Sequence, residues 1–316
     1  STIWRIHGQT ISTALPDAET ILIPDGERFK TLHTVSRIYE SLIRAGADRQ
    51  ATLVAVGGGI VGDVAGFAAA TFLRGITILH VPTTLLAQVD SAIGGKVGVN
   101  HTLGKNLIGA FYPPASVLID PELLATLPRR EFRAGLYEVI KYGMIANRDL
   151  FERVERDLSA LFDHNQTALQ PIITECCRIK SLIVETDERE AGLRRILNFG
   201  HTVGHAIEAV TKYRRFKHGE AVGYGMLVAA DIAERRRTLA PESSKALSEL
   251  VAKLGPMPSV TDLSSKQVID MINRDKKIKE GKLHFVLPSS IGTTVVVDDV
   301  TTRQINAALK RLGLRP

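Results

Sequence analysis

Cysteine is almost absent from this chain, with two residues in 316, Cys176 and Cys177, side by side. Neighbours in a helical-looking stretch cannot close an unstrained bridge, so a disulfide framework is excluded and the usage fits a reducing, cytoplasmic setting. Aromatic residues make up only 5% of the chain, with a single tryptophan. That scarcity removes the stacking platforms expected of a nucleic-acid binder. The 40 Lys and Arg against 34 Asp and Glu leave a charge of +6, but the basic residues are scattered. The longest basic runs, 234–237 and 274–282, are short and the second is mixed with acids, so nucleic acid is not the expected partner. The surplus suits a small anionic substrate equally well as an ordinary solvated surface. No apolar run approaches the ~20 residues that span a bilayer, and no signal-peptide pattern opens the chain, so no membrane role is expected. Internal repeats and low-complexity stretches are also missing.

What is present is a change of pattern near residue 121. Before it, strand and helix signals alternate: TILIP at 20–24, a helix from about Thr31 to Ala47, TLVAV at 52–56, GDVAGFAAATFL, ITILHV at 76–81 and SVLID at 116–120. Continuous β-branched runs separated by helices predict a parallel sheet buried on both faces. After Asp120 and Pro121 the chain turns helical, apart from a hairpin signal at 283–299. At roughly 100–200 residues per domain this predicts two domains, 1–121 α/β and 122–316 mostly α-helical.

The most informative run is RRILNFGHTVGHAIE. Arg194, Asn198, His201 and His205 recur at spacings of four, three and four, which on one helix puts them within about 60° of arc. Burying two imidazoles, a guanidinium and an amide is costly unless they hold a metal or a charged ligand. In the first half, GGGIVGD at 57–63 follows a strand and opens a helix, where backbone N–H groups cradle a pyrophosphate. VPTTLLAQVD then supplies Thr83, Thr84 and Asp90, and a glycine-rich segment at 94–111, read as a loop, carries Lys96, Lys105 and Asn106. Two lysines beside glycines favour an anion. In LYEVIKYGMI, Glu138 and Lys141 lie one turn apart among apolar residues. Glu138 with His201, His205 and His218 offers the N and O donors of a divalent cation such as zinc. By spacing alone His201 and His205 form the ligand pair, and other combinations stay open.

These segments, together with TFLRG, LPRREFRAGLYEVIKYG, ETDEREAG and KHGEAVGYGM, closely resemble the 3-dehydroquinate synthase family over about residues 24–292. The resemblance implies a Rossmann-like NAD-binding domain followed by a mostly α-helical metal-binding domain. It implies metal ligands Glu138, His201 and His218, with His205 left for proton transfer. NAD would meet Asp25, Gly26, Glu27, Lys30, Gly58, Gly59, Gly62, Asp63, Thr83, Thr84, Lys105 and Thr126, with Lys96 shared between cofactor and substrate. Substrate would meet Asp90, Lys96, Asn106, Lys141, Lys180, Arg194, Asn198, Lys276 and Lys277. Arg74 would reach the neighbouring subunit's site, which implies a homodimer. Members of the family carry a further strand or hairpin ahead of the residues matching IWRIHG, so weak NAD binding is expected here.

The implied reaction converts 3-deoxy-D-arabino-heptulosonate 7-phosphate to 3-dehydroquinate and phosphate in the shikimate pathway of aromatic amino-acid biosynthesis, with NAD and one divalent metal, zinc or cobalt. A hydride leaves and returns to the same carbon, so no net oxidation occurs. Two relatives share most of these features. Another sugar-phosphate cyclase would act on a substrate without the carboxylate and alter the Arg194 to Asn198 segment; a metal-dependent polyol dehydrogenase would need fewer phosphate-directed lysines.

Overall fold

The computed structural model describes residues 1–190, 192–278 and 283–316, with the side chains of 275–278 outside that description. Two compact units divide between Pro128 and Arg129. The change of pattern at 121 begins a 3-10 turn, Pro121–Thr126, capped by Asp120 through a 2.9 Å bond from the Glu122 N–H. That turn belongs to the first unit.

The first unit runs α1 (Thr2–Ala14), α2 (Leu32–Arg44), β1 (Thr52–Gly57), α3 (Gly59–Thr71), β2 (Thr77–Pro82), β3 (Lys96–His101), β4 (Gly104–Phe111) and β5 (Ser116–Val117). β1, β2 and β5 form a parallel sheet in that order, with Thr52 opposite Thr77 and Gly57 opposite Pro82. Val35 and Ile38 of α2, Val64 and Phe67 of α3, and Ile76 and Ile78 bury one core with Val97 and Val99. Each such side chain contributes about 1.5–3 kcal/mol when fully removed from water.

Two expectations are corrected here. Residues 20–24 form no strand: Ile23 is buried in the core but the segment has no ladder partner among the described residues, and Pro24 has no N–H to offer one. The glycine-rich 94–111 segment is an antiparallel hairpin rather than a loop. Val97 pairs with Ala110 and Gly98 with Gly109, and a bulge lies between Val99 and His101. Glycine at 98 and 109 serves close backbone approach: a Cβ on Gly98 would sit 2.5 Å from the Ile108 carbonyl oxygen.

The second unit carries α4 (Arg129–Ala146), α5 (Arg148–Arg156), α6 (Leu158–Phe162), α7 (Gln166–Thr186), α8 (His201–Val210), α9 (His218–Arg235), α10 (Pro241–Lys253), α11 (Ser265–Ile278), the hairpin β6 (Phe285–Ser290) and β7 (Thr293–Val297), and α12 (Thr302–Arg311). α4 is buried continuously from Ala134 to Ile145, and α9 packs on both α4 and α8. Among the described residues no helix is long and apolar enough to cross a membrane.

Candidate active site

In the first unit β1 runs into Gly57, and Gly58 caps α3 with no side-chain hydrogen bond to its first turn, an arrangement in which a helix N-terminus can take an anion. Packing under this turn leaves little room for Cβ atoms: one on Gly59 would lie 2.9 Å from Ser91 Oγ, and one on Gly62 3.1 Å from His80 Nδ1. The Thr83 N–H donates to the Gly57 carbonyl at 3.0 Å, and Thr84 Oγ1 accepts from the Ala87 N–H at 3.2 Å. Asp90 lies in the π-turn Ala87–Ser91, held by buried Gln88, which donates to the carbonyls of Pro82 at 3.2 Å and Asp120 at 2.8 Å. Burial depresses the pKa of His80, a residue that the sequence reading passed over because it sits inside a strand.

Buried Lys30 ties this unit together. Its Nζ donates to Asp63 Oδ2 and to Asn106 Oδ1, both at 2.5 Å. Asn106 takes φ 53 and donates its backbone N–H to Asn100 Oδ1 at 3.0 Å; Asn100 Nδ2 in turn donates to Glu27 at 2.8 Å, and Lys105 pairs with Glu27 at 3.5 Å. Glu27, Lys30, Asp63, Lys105 and Asn106 are therefore one network. Asn100, which bridges it, was missed; its only signal was an amide facing a turn of lysine and asparagine. Asp25 accepts from Thr2 twice, at 2.9 and 2.8 Å, and Thr126 Oγ1 lies 2.9 Å from His7 Nε2, so α1 engages both. Lys96 opens β3, and Gly26 stands at φ 110 just ahead of the Glu27–Phe29 turn. Arg74 follows α3 at φ 70, next to Leu73 at φ 49, a strained and exposed turn.

In the second unit the expected single stripe is broken. Arg194 and Asn198 belong to a 3-10 turn, Leu193–Asn198, and α8 begins at His201 after Gly200 at φ 80. A side chain at Gly200 would be strained at that φ, and its Cβ would also sit 2.7 Å from the Val222 carbonyl oxygen. His201 Nδ1 lies 3.1 Å from the Phe199 carbonyl, which leaves Nε2 turned inward.

His218 is the first residue of α9, and Gly219 presses against α4: a Cβ there would come 1.9 Å from the Ala134 carbonyl oxygen. Glu220, also buried, accepts from Arg130 twice at 2.8 Å and from Arg133 at 3.2 Å, both on α4, and from the Lys217 N–H at 2.9 Å. These contacts bring His218 to Glu138. Glu138, fully buried, places Oε1 3.4 Å from His218 Nε2 and 3.7 Å from His201 Nε2, while Oε2 meets Lys141 Nζ at 2.5 Å. The ring of His205 is 5.2 Å from that of His201 and 5.8 Å from that of His218. One ring nitrogen from each of the three imidazoles lies within 4.8 Å of the other two.

Burial lowers His201 to about 3, keeping it neutral. Burial also acts to lower His218, but Glu138 on one ring nitrogen and Glu208 on the other push it up to about 10. Glu208, 3.2 Å from His218 Nδ1, was missed by the sequence reading, although it continues the helical face of His201 and His205 three residues on.

The donor set fits a divalent cation. Zinc bonds of about 2.0–2.1 Å at tetrahedral angles set ligand atoms about 3.4 Å apart. The 3.4 and 3.7 Å separations around Glu138 Oε1 match that spacing and are long for hydrogen bonds.

Three cations of the second unit are almost fully buried: Lys141 at 1% exposed, Lys180 on α7 at 6% and Arg194 at 2%. Buried lysines are rare without an anion to meet. Arg194 Nη1 donates to the Glu188 carbonyl at 2.5 Å, its N–H to Asp187 Oδ2 at 3.0 Å, and Asn198 Nδ2 to Glu190 at 2.5 Å. Lys276 and Lys277 fall at the end of α11, and their side chains lie outside the described residues.

Against known proteins, the family description 3-dehydroquinate synthase N-terminal matches residues 20–134 and the 3-dehydroquinate synthase C-terminal description matches 135–278. A 3-dehydroquinate synthase of Nostoc sp. (strain PCC 7120) is 49% identical over 293 residues, covering 92% of this chain and 81% of the relative. Among solved structures, the 2-epi-5-epi-valiolone synthase ValA of Streptomyces hygroscopicus subsp. jinggangensis, with NAD+ and Zn2+ bound, superposes with a TM-score of 0.91 at 29% identity, covering 98% of this chain and 88% of that one. A 2-deoxy-scyllo-inosose synthase complexed with carbaglucose-6-phosphate, NAD+ and Co2+ gives 0.87 at 32% identity, over 97% and 87%. Both halves of one family description thus meet end to end at residue 134, and the chain belongs to the 3-dehydroquinate synthase family.

Proposed function

We propose that this chain converts 3-deoxy-D-arabino-heptulosonate 7-phosphate to 3-dehydroquinate and phosphate as an NAD- and divalent-metal-dependent carbon–oxygen lyase. The observation that carries the reading is the convergence of Glu138, His201 and His218, drawn from three separate helices, at the spacing of ligands on one cation. The relatives of similar structure hold NAD+ with Zn2+ or Co2+, which supports the same pair of cofactors here. Glu138, His201 and His218 would hold the cation; the Gly58–Asp63 turn, Thr83, Thr84 and the Lys30 network with Glu27 and Lys105 would hold NAD. When bound, the cation supplies Lewis acidity toward a substrate hydroxyl or ketone, and NAD takes and returns one hydride.

The residues of the chain supply the rest. Lys141, Lys180 and Arg194 are buried, and there they would act on the substrate carboxylate and on the phosphate as charge gathers on it. Removing one such donor costs roughly 100- to 1000-fold in turnover. Asn198, kept in place by Glu190, offers an amide to a substrate hydroxyl. His205, exposed and beside the His201 ring, would exchange a proton with solvent. Retention of Lys180, Arg194 and Asn198 favours the carboxylate-bearing substrate over those of the other cyclases. The domains are proposed as 1–121 for NAD and 122–316 for metal and substrate, and the active form as a homodimer in which Arg74 serves the neighbouring site.

The test is phosphate release from the heptulosonate phosphate with absorbance of NADH followed in parallel. The reading requires phosphate without net NADH. Sustained NADH growth on a polyol, without phosphate release, would replace it by a dehydrogenase, and equal turnover of a sugar phosphate lacking the carboxylate would replace it by another cyclase.

A further inference from the structure

Glu208 has no place in the reaction as derived above, yet it is an expensive residue to keep. It is only 5% exposed and sits in the last turn of α8, the end of a helix where a negative charge is disfavoured by the backbone dipole. Burying a carboxylate there is tolerable only with a cationic or strongly donating partner. Its Oε2 lies 3.2 Å from Nδ1 of His218, while Nε2 of the same ring lies 3.4 Å from Glu138 Oε1. His201 is arranged in the same sense, Nδ1 toward the Phe199 carbonyl at 3.1 Å and Nε2 toward Glu138 at 3.7 Å. The two imidazoles that face Glu138 are thus each held from behind at Nδ1, one by a neutral carbonyl and the other by a carboxylate.

Charge explains why a carboxylate stands on one side. Lys141 Nζ, 2.5 Å from Glu138 Oε2, draws on the negative charge that Glu138 has to offer. A dication between Glu138, His201 and His218 then meets little net negative charge from that carboxylate. Glu208 makes up the deficit from the far side of the His218 ring. We propose that Glu208 is a positioning residue: it locks His218 in the Nδ1–H tautomer that presents Nε2 toward Glu138, and it supplies the second negative charge for the cation. The inference rests on the metal reading of the proposed function.

The experiment is titration of metal-free protein with Co2+, read by visible d–d absorption, for the parent, Glu208→Gln and Glu208→Ala, with circular dichroism to verify folding. The amide oxygen of Gln still accepts from Nδ1–H and removes only the charge. We expect Co2+ to bind about 10-fold more weakly to Glu208→Gln and about 100-fold more weakly to Glu208→Ala, the latter with an altered spectrum. Parental affinity and spectrum in both variants overturn the inference and leave the metal reading standing; a parent that takes up no Co2+ overturns both. Imidazole 15N shifts of the cobalt-free, zinc-loaded parent give a readout independent of any variant. Nε2 ligation of His218 with Nδ1 protonated supports the proposal, and Nδ1 ligation refutes it.

Discussion

Gly219→Ala adds one methyl group where the second unit has no room for it. The new Cβ would lie 1.9 Å from the Ala134 carbonyl oxygen, 2.7 Å from its carbonyl carbon and 3.0 Å from its Cα, all backbone atoms of α4 that no rotamer change can clear. Ordinary contact begins at 3.4 Å, so about 1.5 Å (3.4 less 1.9) must come from moving the first turn of α9 off α4. Overpacking of this kind costs about 1–3 kcal/mol of stability. The larger effect falls on the neighbouring residue. His218 leads that turn, and metal sites tolerate about 0.2 Å of ligand displacement, so Co2+ affinity should fall at least about 100-fold. Urea unfolding and cobalt titration measure the two effects separately. Gly46→Ala is the control: φ is +70 and nothing lies within 4 Å of the added Cβ, so it should cost about 1–2 kcal/mol through strain alone and leave cobalt binding unchanged. A Gly219→Ala protein with parental urea midpoint and parental cobalt affinity would refute the close seating of α9 on α4.

Three further outcomes follow from the same geometry. Because His218 is held near pKa 10 and His201 is already neutral, metal uptake at pH 7–8 should expel about one proton, visible in calorimetry as a heat that scales with buffer ionisation enthalpy; no proton release contradicts the arrangement of Glu138 and Glu208 about His218. Burial acts to raise Glu220, but Arg130, the Lys217 N–H and Arg133 outweigh it and hold the folded carboxyl below its ordinary 4.5. Its contribution is therefore fully present above pH 4.5 and fades as the pH falls below that value, so Glu220→Gln should lower stability by about 2 kcal/mol at pH 7 and flatten the acid limb of a urea-midpoint profile below pH 4.5. Lys30→Met breaks the link between Asp63 and Asn106 and should weaken NAD binding by about 10-fold or more in calorimetry, with cobalt binding unchanged.

The first two parallel strands were legible as continuous apolar runs, and the buried helices because their apolar residues follow a single period that burial enforces. β1 and β2 lie within a residue of the TLVAV and ITILHV runs. The hairpin at 96–111 was not legible, since its glycines read as loop while they serve strand-to-strand approach against the Ile108 and Val97 carbonyls. The histidine stripe misled for a related reason. Helical spacing from Arg194 to His205 presumes an unbroken helix, and the left-handed Gly200, required by the approach of α9, divides it. Glu138 and His218 were recognisable as donors by type, but their meeting depends on a Gly219 contact and a Glu220 ion network between α4 and α9 that no local pattern encodes. Asn100 and Glu208 act through other side chains, and spacing alone gives such residues no distinguishing mark.

The two ligand sets that the histidine cluster permits, Glu138 with His201 and His218, or His201 with His205 and His218, make opposite demands on two variants. Metal content after dialysis, measured with Co2+ affinity on Glu138→Gln and His205→Ala beside the parent, separates them most directly. One cation per chain is expected in the parent and in His205→Ala, the latter having lost turnover, and none retained by Glu138→Gln. A Glu138→Gln protein that keeps its cation while His205→Ala loses it would contradict the central assignment.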